Sequence, residues 1–404
     1  MNAQSPNLTS PNLTSPNAPV VSYPSVAHAG ALLTIDLDAI ADNYRILRRQ
    51  ANHGVLCGAV LKANAYGLGA DRVAPTLAMA GCRHFFVAHM AEGMALRRHL
   101  PAACSIYVLH GAPIGAEADM MGYRLTPVLN GLEQIDAWRT QARRIGAPLP
   151  AVVQVDTGMA RVGLSPAELQ AVADDARRLE GISVRLVMSH LSWAEQPDHP
   201  ANRDALDRFN KARAILPEAP ASFANSSGVF LGPDYHFQML RPGAALYGIA
   251  PRVGEENPMR PVIRLAAKVI QTRAISDGTP VGYNGRWVAQ GARTIATIGV
   301  GYADGFLRSL SNKAVASVRG VRVPVVGTVS MDLITLDVTD VPGGVSPGDL
   351  VDLIGGDGPT PDEVAASAGT IGYEILTSLG SRYHRAYMGG SNRAAIIKQT
   401  GVMS

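Results

Sequence analysis

The residue that most invites chemistry is Lys62. It follows the apolar run 55–61 and precedes Ala63-Asn64-Ala65-Tyr66-Gly67-Leu68-Gly69. The run reads as a buried strand. An amine at the end of such a strand is partly desolvated, which lowers its pKa and makes it nucleophilic towards carbonyls. A lysine snorkelling out of a strand end gives the same local pattern. Other polar residues also fall where apolar runs end or begin. They are Gln154, Asp156 through Arg161, His190, Asn225-Ser226-Ser227-Gly228 and Arg241-Pro242-Gly243-Ala244. Asn, Ser and Gly at the start of a helix cap it and also make an anion site. Taken singly, Arg161 reads as a surface cation, His190 as a structural histidine, Asp156 as a turn residue and Tyr302 as a core tyrosine.

The elements that must position these residues follow a rhythm. Residues 31–37 read as a short strand, and Leu37, Ile40, Ala41, Tyr44 and Leu47 keep helical spacing to about Ala51. Apolar strands are then expected at 55–61, 84–89, 105–110, 124–129, 151–156, 184–190, 221–225 and 244–249. Helices are expected at 91–99, 132–145 and 202–216, with another opening at the capping box Ser165-Pro166-Ala167-Glu168. Eight strands, most followed by a helix, predict a parallel (β/α)8 TIM barrel. A doubly wound open sheet is the alternative, but no GxGxxG follows the first strand. In a barrel the strand ends share one rim, where chemistry sits and phosphate binds after the seventh and eighth strands. From about Pro261 the pattern turns to period two, rich in Val, Ile and Thr, as at 294–300, 321–326 and 333–338. That predicts a C-terminal all-β domain. The chain thus divides into a disordered tail (1–30), an α/β barrel (31–252) and a β domain (253–404).

The tail repeats Asn-Leu-Thr-Ser-Pro at 7–11 and 12–16 and is dominated by Ser, Pro and Asn. The first Lys or Arg is Arg45, and no continuous apolar segment precedes Ala27, so no secretory signal is read and a cytoplasmic location is expected. A net charge of +3 over 404 residues, without a basic run, gives no sign of nucleic-acid binding. No apolar stretch reaches transmembrane length. Cys57, Cys82 and Cys104 are an odd number without CxxC spacing, which argues against a disulfide framework and a zinc site. Cys57 and Cys104 read as buried thiols in a reducing compartment, and no metal is expected.

In combination these motifs are specific. The stretch around Lys62 resembles the pyridoxal 5'-phosphate attachment motif of alanine racemases, and the resemblance extends over about residues 31 to 390. It implies that Lys62 holds the cofactor as a Schiff base and that Tyr66 contacts its phosphate. Asn225, Ser226, Gly243, Ala244 and Tyr373 match further phosphate contacts. Arg241 matches the arginine facing the pyridine nitrogen, and His190 the histidine beside it. Arg161 matches a substrate-side arginine. In the β domain, Tyr302 within Gly301-Tyr302-Ala303-Asp304-Gly305 matches a second base. Met331 within Ser330-Met331-Asp332 matches a backbone contact to the substrate carboxylate. The family carries these last two on the partner subunit of a homodimer. The implied activity is racemisation of a small amino acid, L-alanine to D-alanine, by Lys62 and Tyr302 on opposite faces, supplying D-alanine for peptidoglycan.

An arginine at the ring nitrogen can donate a hydrogen bond but cannot give up its proton. It therefore weakens the electron sink and suppresses exits other than proton return. One position departs from the family: many members carry a carbamylated lysine two residues before Asp-Thr-Gly, where this chain has Gln154, so no carbamate is expected there. The rival expectations are a broad-spectrum amino-acid racemase, a barrel-type amino-acid decarboxylase, and a non-enzymatic pyridoxal-phosphate carrier built as a lone barrel.

Overall fold

A computed structural model describes residues 23–390. The chain enters through strand β1 (Ala31–Asp36) and helix α1 (Leu37–Arg49). Asp36 caps the helix by accepting from the Ala39 amide at 2.9 Å. Arg48 and Arg49 occupy the last turn, where positive charge suits the helix dipole. The stripe of Leu37, Ile40, Ala41, Tyr44 and Leu47 is buried, as its spacing predicts.

The barrel follows. Strands β2 (Leu56–Cys57), β3 (Ala59–Val60), β4 (His84–Val87), β5 (Ser105–Val108), β6 (Leu125–Leu129), β7 (Leu149–Gln154), β8 (Ile182–Met188), β9 (Ala221–Ser222) and β10 (Met239–Leu240) run along the chain. β3 through β9 pair in parallel and in chain order. The ring closes through β10, which pairs with β2, while Gln238 N donates to Ala221 O at 3.0 Å. Phe85, Phe86, Val108, Val152 and Val153 are fully buried; neighbours along a strand point to opposite faces, so they pack both the barrel interior and its contact with the surrounding helices. Helices Met90–Arg97, Leu132–Ile145, Pro166–Asp174 and Ala201–Ile215 lie between strands.

Three expectations need correction. The last barrel strand is Met239–Leu240, and the run 244–249 opens with a buried 3-10 turn, Ala244–Tyr247. A short apolar run has no periodicity that separates a strand from a buried turn. Strand β1 does not belong to the barrel. It pairs antiparallel with β11 (Ile263–Ile275) and parallel with His384–Met388. Its strict alternation of buried and half-buried residues suits a sheet with one covered face. Residues 23–30, assigned to the tail, fold onto the β domain: Pro24 O is 2.8 Å from His384 Nδ1, and Val26 O accepts from Lys268 Nζ at 2.7 Å. The repeats at 7–16 lie outside the described residues.

β11 organises the second sheet. It also pairs with Arg293–Ile298 and Leu350–Ile354. Helices Pro361–Ala368 and Gly372–Ser378 follow, the first opened by the Thr360/Glu363 capping box. All three cysteines are free and buried. Among the described residues no helix is long and apolar enough to cross a membrane.

Candidate active site

Lys62 stands where β3 ends, with Leu61 N bonded to Phe86 O of the neighbouring strand at 2.7 Å. The chain then makes a left-handed turn. Ala63, Asn64, Ala65 and Tyr66 have φ of 52°, 55°, 55° and 54°. Left-handed backbone costs an L-residue about 1–2 kcal/mol, so four in a row store several kcal/mol, and such strain concentrates at functional sites. The surroundings hold it in place. Glu92 Oε1 accepts from Ala63 N at 2.6 Å, and Asn64 Oδ1 accepts from Ala70 N at 2.8 Å. Gly67, at φ 82°, lies so close to Leu376 O that a Cβ would meet it at 2.6 Å. The Lys62 amine is held below its ordinary pKa by desolvation and then by the charge of Arg161, with Glu92 opposing.

Tyr66 is buried. Its ring lies 4.8 Å from that of Tyr247 and edge-on to Tyr373 at 6.3 Å. Its hydroxyl sits against Gly243, where a Cβ would come within 2.4 Å of it and displace the ring. Ser226 Oγ accepts from Gly243 N at 2.9 Å and Ala245 N at 3.2 Å. Among the described residues nothing accepts a hydrogen bond from the buried Ala244 amide, which opens the 3-10 turn. Asn225 Oδ1 caps the turn at Gly228 N, 2.8 Å away. The Tyr373 hydroxyl donates to Glu195 Oε1 at 2.7 Å, and burial followed by Glu195 pushes its pKa up.

At the other end Arg241 is buried. Nη1 donates to Ser222 Oγ and Nη2 to Ser189 O, both at 2.6 Å. Neither partner is a carboxylate. Desolvation lowers its pKa to about 9, so it stays charged at neutral pH. The Ser189 hydroxyl is itself tied to Val155 O at 2.7 Å and Thr157 Oγ1 at 2.8 Å. Desolvation, then the charges of Arg241, Arg161 and Lys62, push His190 down to about 3, leaving its ring neutral. Arg161, Gln154 and His190 line one pocket.

The barrel rim thus gathers Lys62, Tyr66, Arg161, His190, Asn225, Ser226, Arg241, Gly243 and Ala244, with Tyr373 reaching in from the β domain. Tyr302 and Met331 lie elsewhere, 41% and 53% exposed. Among the described residues no hydrogen bond, ion pair or ring contact joins either to Lys62, Arg161 or Arg241. They are close to each other: Tyr302 N donates to Ser330 O at 2.9 Å and Ala303 N to Met331 O at 3.0 Å. Arg382 clamps the two segments, reaching Asp304 Oδ1 and Oδ2 at 2.5 and 2.7 Å and Asp332 Oδ1 at 2.7 Å. Sequence reasoning missed Glu92, Ser222, Ser189 and Glu195. For Glu92 only half a signal existed: it is the N3 residue of a helix and accepts from the backbone of the N-cap His89, which offers no side-chain cap in return.

The donors fit pyridoxal phosphate: an amine of lowered pKa, an open amide beside a hydroxyl at one end, and a buried cation at the other. Residues 35–251 match the family model described as alanine racemase, N-terminal domain, and residues 262–387 that of the C-terminal domain. The chain is 51% identical over 373 residues to a Mesorhizobium japonicum protein described as a catabolic alanine racemase, covering 92% of this chain and 97% of that one. It is 50% identical over 362 residues to an alanine racemase of Rhodospirillum rubrum, covering 89% and 96%. The crystal structure of alanine racemase from Bartonella henselae with covalently bound pyridoxal phosphate superposes with a TM-score of 0.86 at 42% identity, covering 89% of this chain and all of that one. A biosynthetic alanine racemase from Pseudomonas aeruginosa gives 0.83 at 33% identity, with 89% and 100% covered. The chain belongs to the alanine racemase family and is an isomerase.

Proposed function

We propose that this chain interconverts L-alanine and D-alanine with pyridoxal phosphate held on Lys62. The observation that carries the reading is Arg241, a buried cation whose guanidinium bonds, among the described residues, only to Ser222 Oγ and Ser189 O. Ser226, Tyr66, Tyr373 and the amides of Gly243 and Ala244 would hold the phosphate, with Asn225 bracing the loop. Arg241 would face the ring nitrogen, with His190 neutral beside it. When bound, the cofactor supplies an electron sink that loosens the α-C–H bond of an attached amino acid. Arg161 and the Met331 amide orient the substrate carboxylate. Lys62 Nζ moves the α-proton on one face and Tyr302 Oη on the other. A tyrosine with an ordinary pKa near 10 needs nearby cations for that work. The exposure of Tyr302 and Met331 supports a homodimer in which each subunit completes its partner's site.

We assign the enzyme to the cytoplasm, where it supplies D-alanine for peptidoglycan. A second reading is use in the opposite direction, for catabolism, as the Mesorhizobium japonicum relative is described. The test is loss of optical rotation in L-alanine, run beside L-serine, L-lysine and L-arginine to set substrate breadth. Borohydride should fix the cofactor on Lys62, and Lys62→Ala should lose both the adduct and turnover. A variant that keeps both excludes Lys62 as the attachment site.

A further inference from the structure

Among the described residues Glu92 is the one carboxylate hydrogen-bonded to the turn carrying Lys62. Its Oε1 accepts from Ala63 N at 2.6 Å, while Oε2 accepts from Ala88 N at 2.8 Å and His89 N at 3.0 Å. It therefore ties the end of β3 to the end of β4. The amide it holds on the β3 side belongs to the first residue of the left-handed run Ala63–Tyr66, in the position directly after the reactive lysine. An uncharged acceptor would satisfy one of these two sides. A carboxylate satisfies both, because it offers two acceptor oxygens and no donor.

We infer that Glu92 is a positioning residue for Lys62, fixing the left-handed turn that aims the amine and supplying the negative charge beside it. The inference rests on the reading that Lys62 holds the cofactor. The titratable groups around Lys62 come from several strand ends: the cation Arg161 after β7, the carboxylate Glu92 after β4, His110 after β5 and the neutral His190 after β8. Of these only Glu92 is negative, and it opposes the lowering of the Lys62 pKa by desolvation and Arg161. His110 is itself held below its ordinary pKa, by desolvation and then by His89, whose Nδ1 lies 3.3 Å from its own. Glu92 is thus the carboxylate that offsets Arg161 at the Lys62 amine.

The test uses the full-length holoenzyme and the variants Glu92→Gln, Glu92→Ala and Lys62→Ala. Three readouts are taken: borohydride trapping with peptide mapping, the pH at which the visible band of the lysine-bound cofactor changes, and kcat and KM for L-alanine. In Glu92→Gln the spectral transition should move to lower pH, because the charge favouring the protonated nitrogen is gone. In Glu92→Ala the same shift should be joined by a kcat loss of roughly tenfold or more with KM within a few-fold, since a charged hydrogen bond to the turn is lost. A purely structural role would lower thermal stability without moving the spectral transition. Should Glu92→Ala fail to fold, the Glu92→Gln titration alone decides. An unmoved transition in Glu92→Gln overturns the inference. Trapping on a lysine other than Lys62, or trapping that survives in Lys62→Ala, instead overturns the reading of Lys62, whatever the Glu92 variants do.

Discussion

Gly301 is where the two β-domain segments meet, and Gly301→Ala should separate them. A Cβ built on Gly301 would lie 2.3 Å from Met331 O, 2.4 Å from Met331 C and 2.4 Å from Ser330 O. All three are backbone atoms, so no rotamer change relieves the clash. Restoring a 3.0 Å approach from 2.3 Å needs a movement of about 0.7 Å between the segments. That stretches the Tyr302 N–Ser330 O and Ala303 N–Met331 O bonds, now 2.9 and 3.0 Å, beyond hydrogen-bond range. Overpacking costs about 1–3 kcal/mol, and two hydrogen bonds at about 1 kcal/mol each bring the loss to roughly 3–5 kcal/mol. The barrel rim is untouched, so borohydride trapping on Lys62 should persist. Racemisation should fall towards the loss of a general acid-base group, about 10² to 10⁴-fold. Thermal unfolding, trapping and kcat measured on one preparation test this. Wild-type unfolding with kcat within a few-fold would refute the reasoning that these segments must be locked together for catalysis.

Other outcomes follow from the rim. Arg241→Glu should leave the Ser189 carbonyl without a donor, costing roughly 1–3 kcal/mol. It should also let transamination, read as pyruvate formation, compete with slowed racemisation; an unchanged product profile would leave Arg241 as a structural residue. His190 titrates at about 3 in the folded chain against an ordinary 6.5. The unfolded chain therefore binds a proton that the folded chain refuses, so stability should fall as pH drops from 6.5 towards 3. His190→Asn should flatten that slope, and equal acid sensitivity in both proteins would contradict the assignment. Ser226→Ala removes the acceptor for two buried amides, and it should destabilise by roughly 1–3 kcal/mol and weaken cofactor retention on dialysis.

Much of the candidate site was legible because its residues carry local signals. Lys62 at the end of an apolar run, Asn225-Ser226 at a turn and Arg241-Pro242-Gly243 each carry their signal within a few residues, and the β/α rhythm places them on one rim. What escaped depends on distance or on conformation. That β1 joins β11 rather than the barrel is a pairing across more than two hundred residues, although its alternating burial carried a hint. Met239–Leu240 is too short to show any period. The left-handed turn at Ala63–Tyr66 runs against the preference of Ala63, Ala65 and Tyr66, and only Asn64 tolerates it well, so propensity does not foretell the run; Glu92 and the neighbouring glycines impose it. Ser222 and Ser189 act through side-chain and backbone oxygens aimed at Arg241, which composition does not reveal.

The central claim is that Lys62 and Tyr302 serve one site from two subunits. Mixing Lys62→Ala with Tyr302→Phe chains, each expected to be nearly inactive alone, tests it directly. A heterodimer of the two carries one doubly altered site and one fully intact site. Random reassortment at equal concentrations should therefore restore roughly a quarter of wild-type activity per chain. If Lys62 and Tyr302 act within one subunit, no heterodimer contains an intact site. A mixture that exchanges subunits, yet stays as inactive as its parents, would contradict the account.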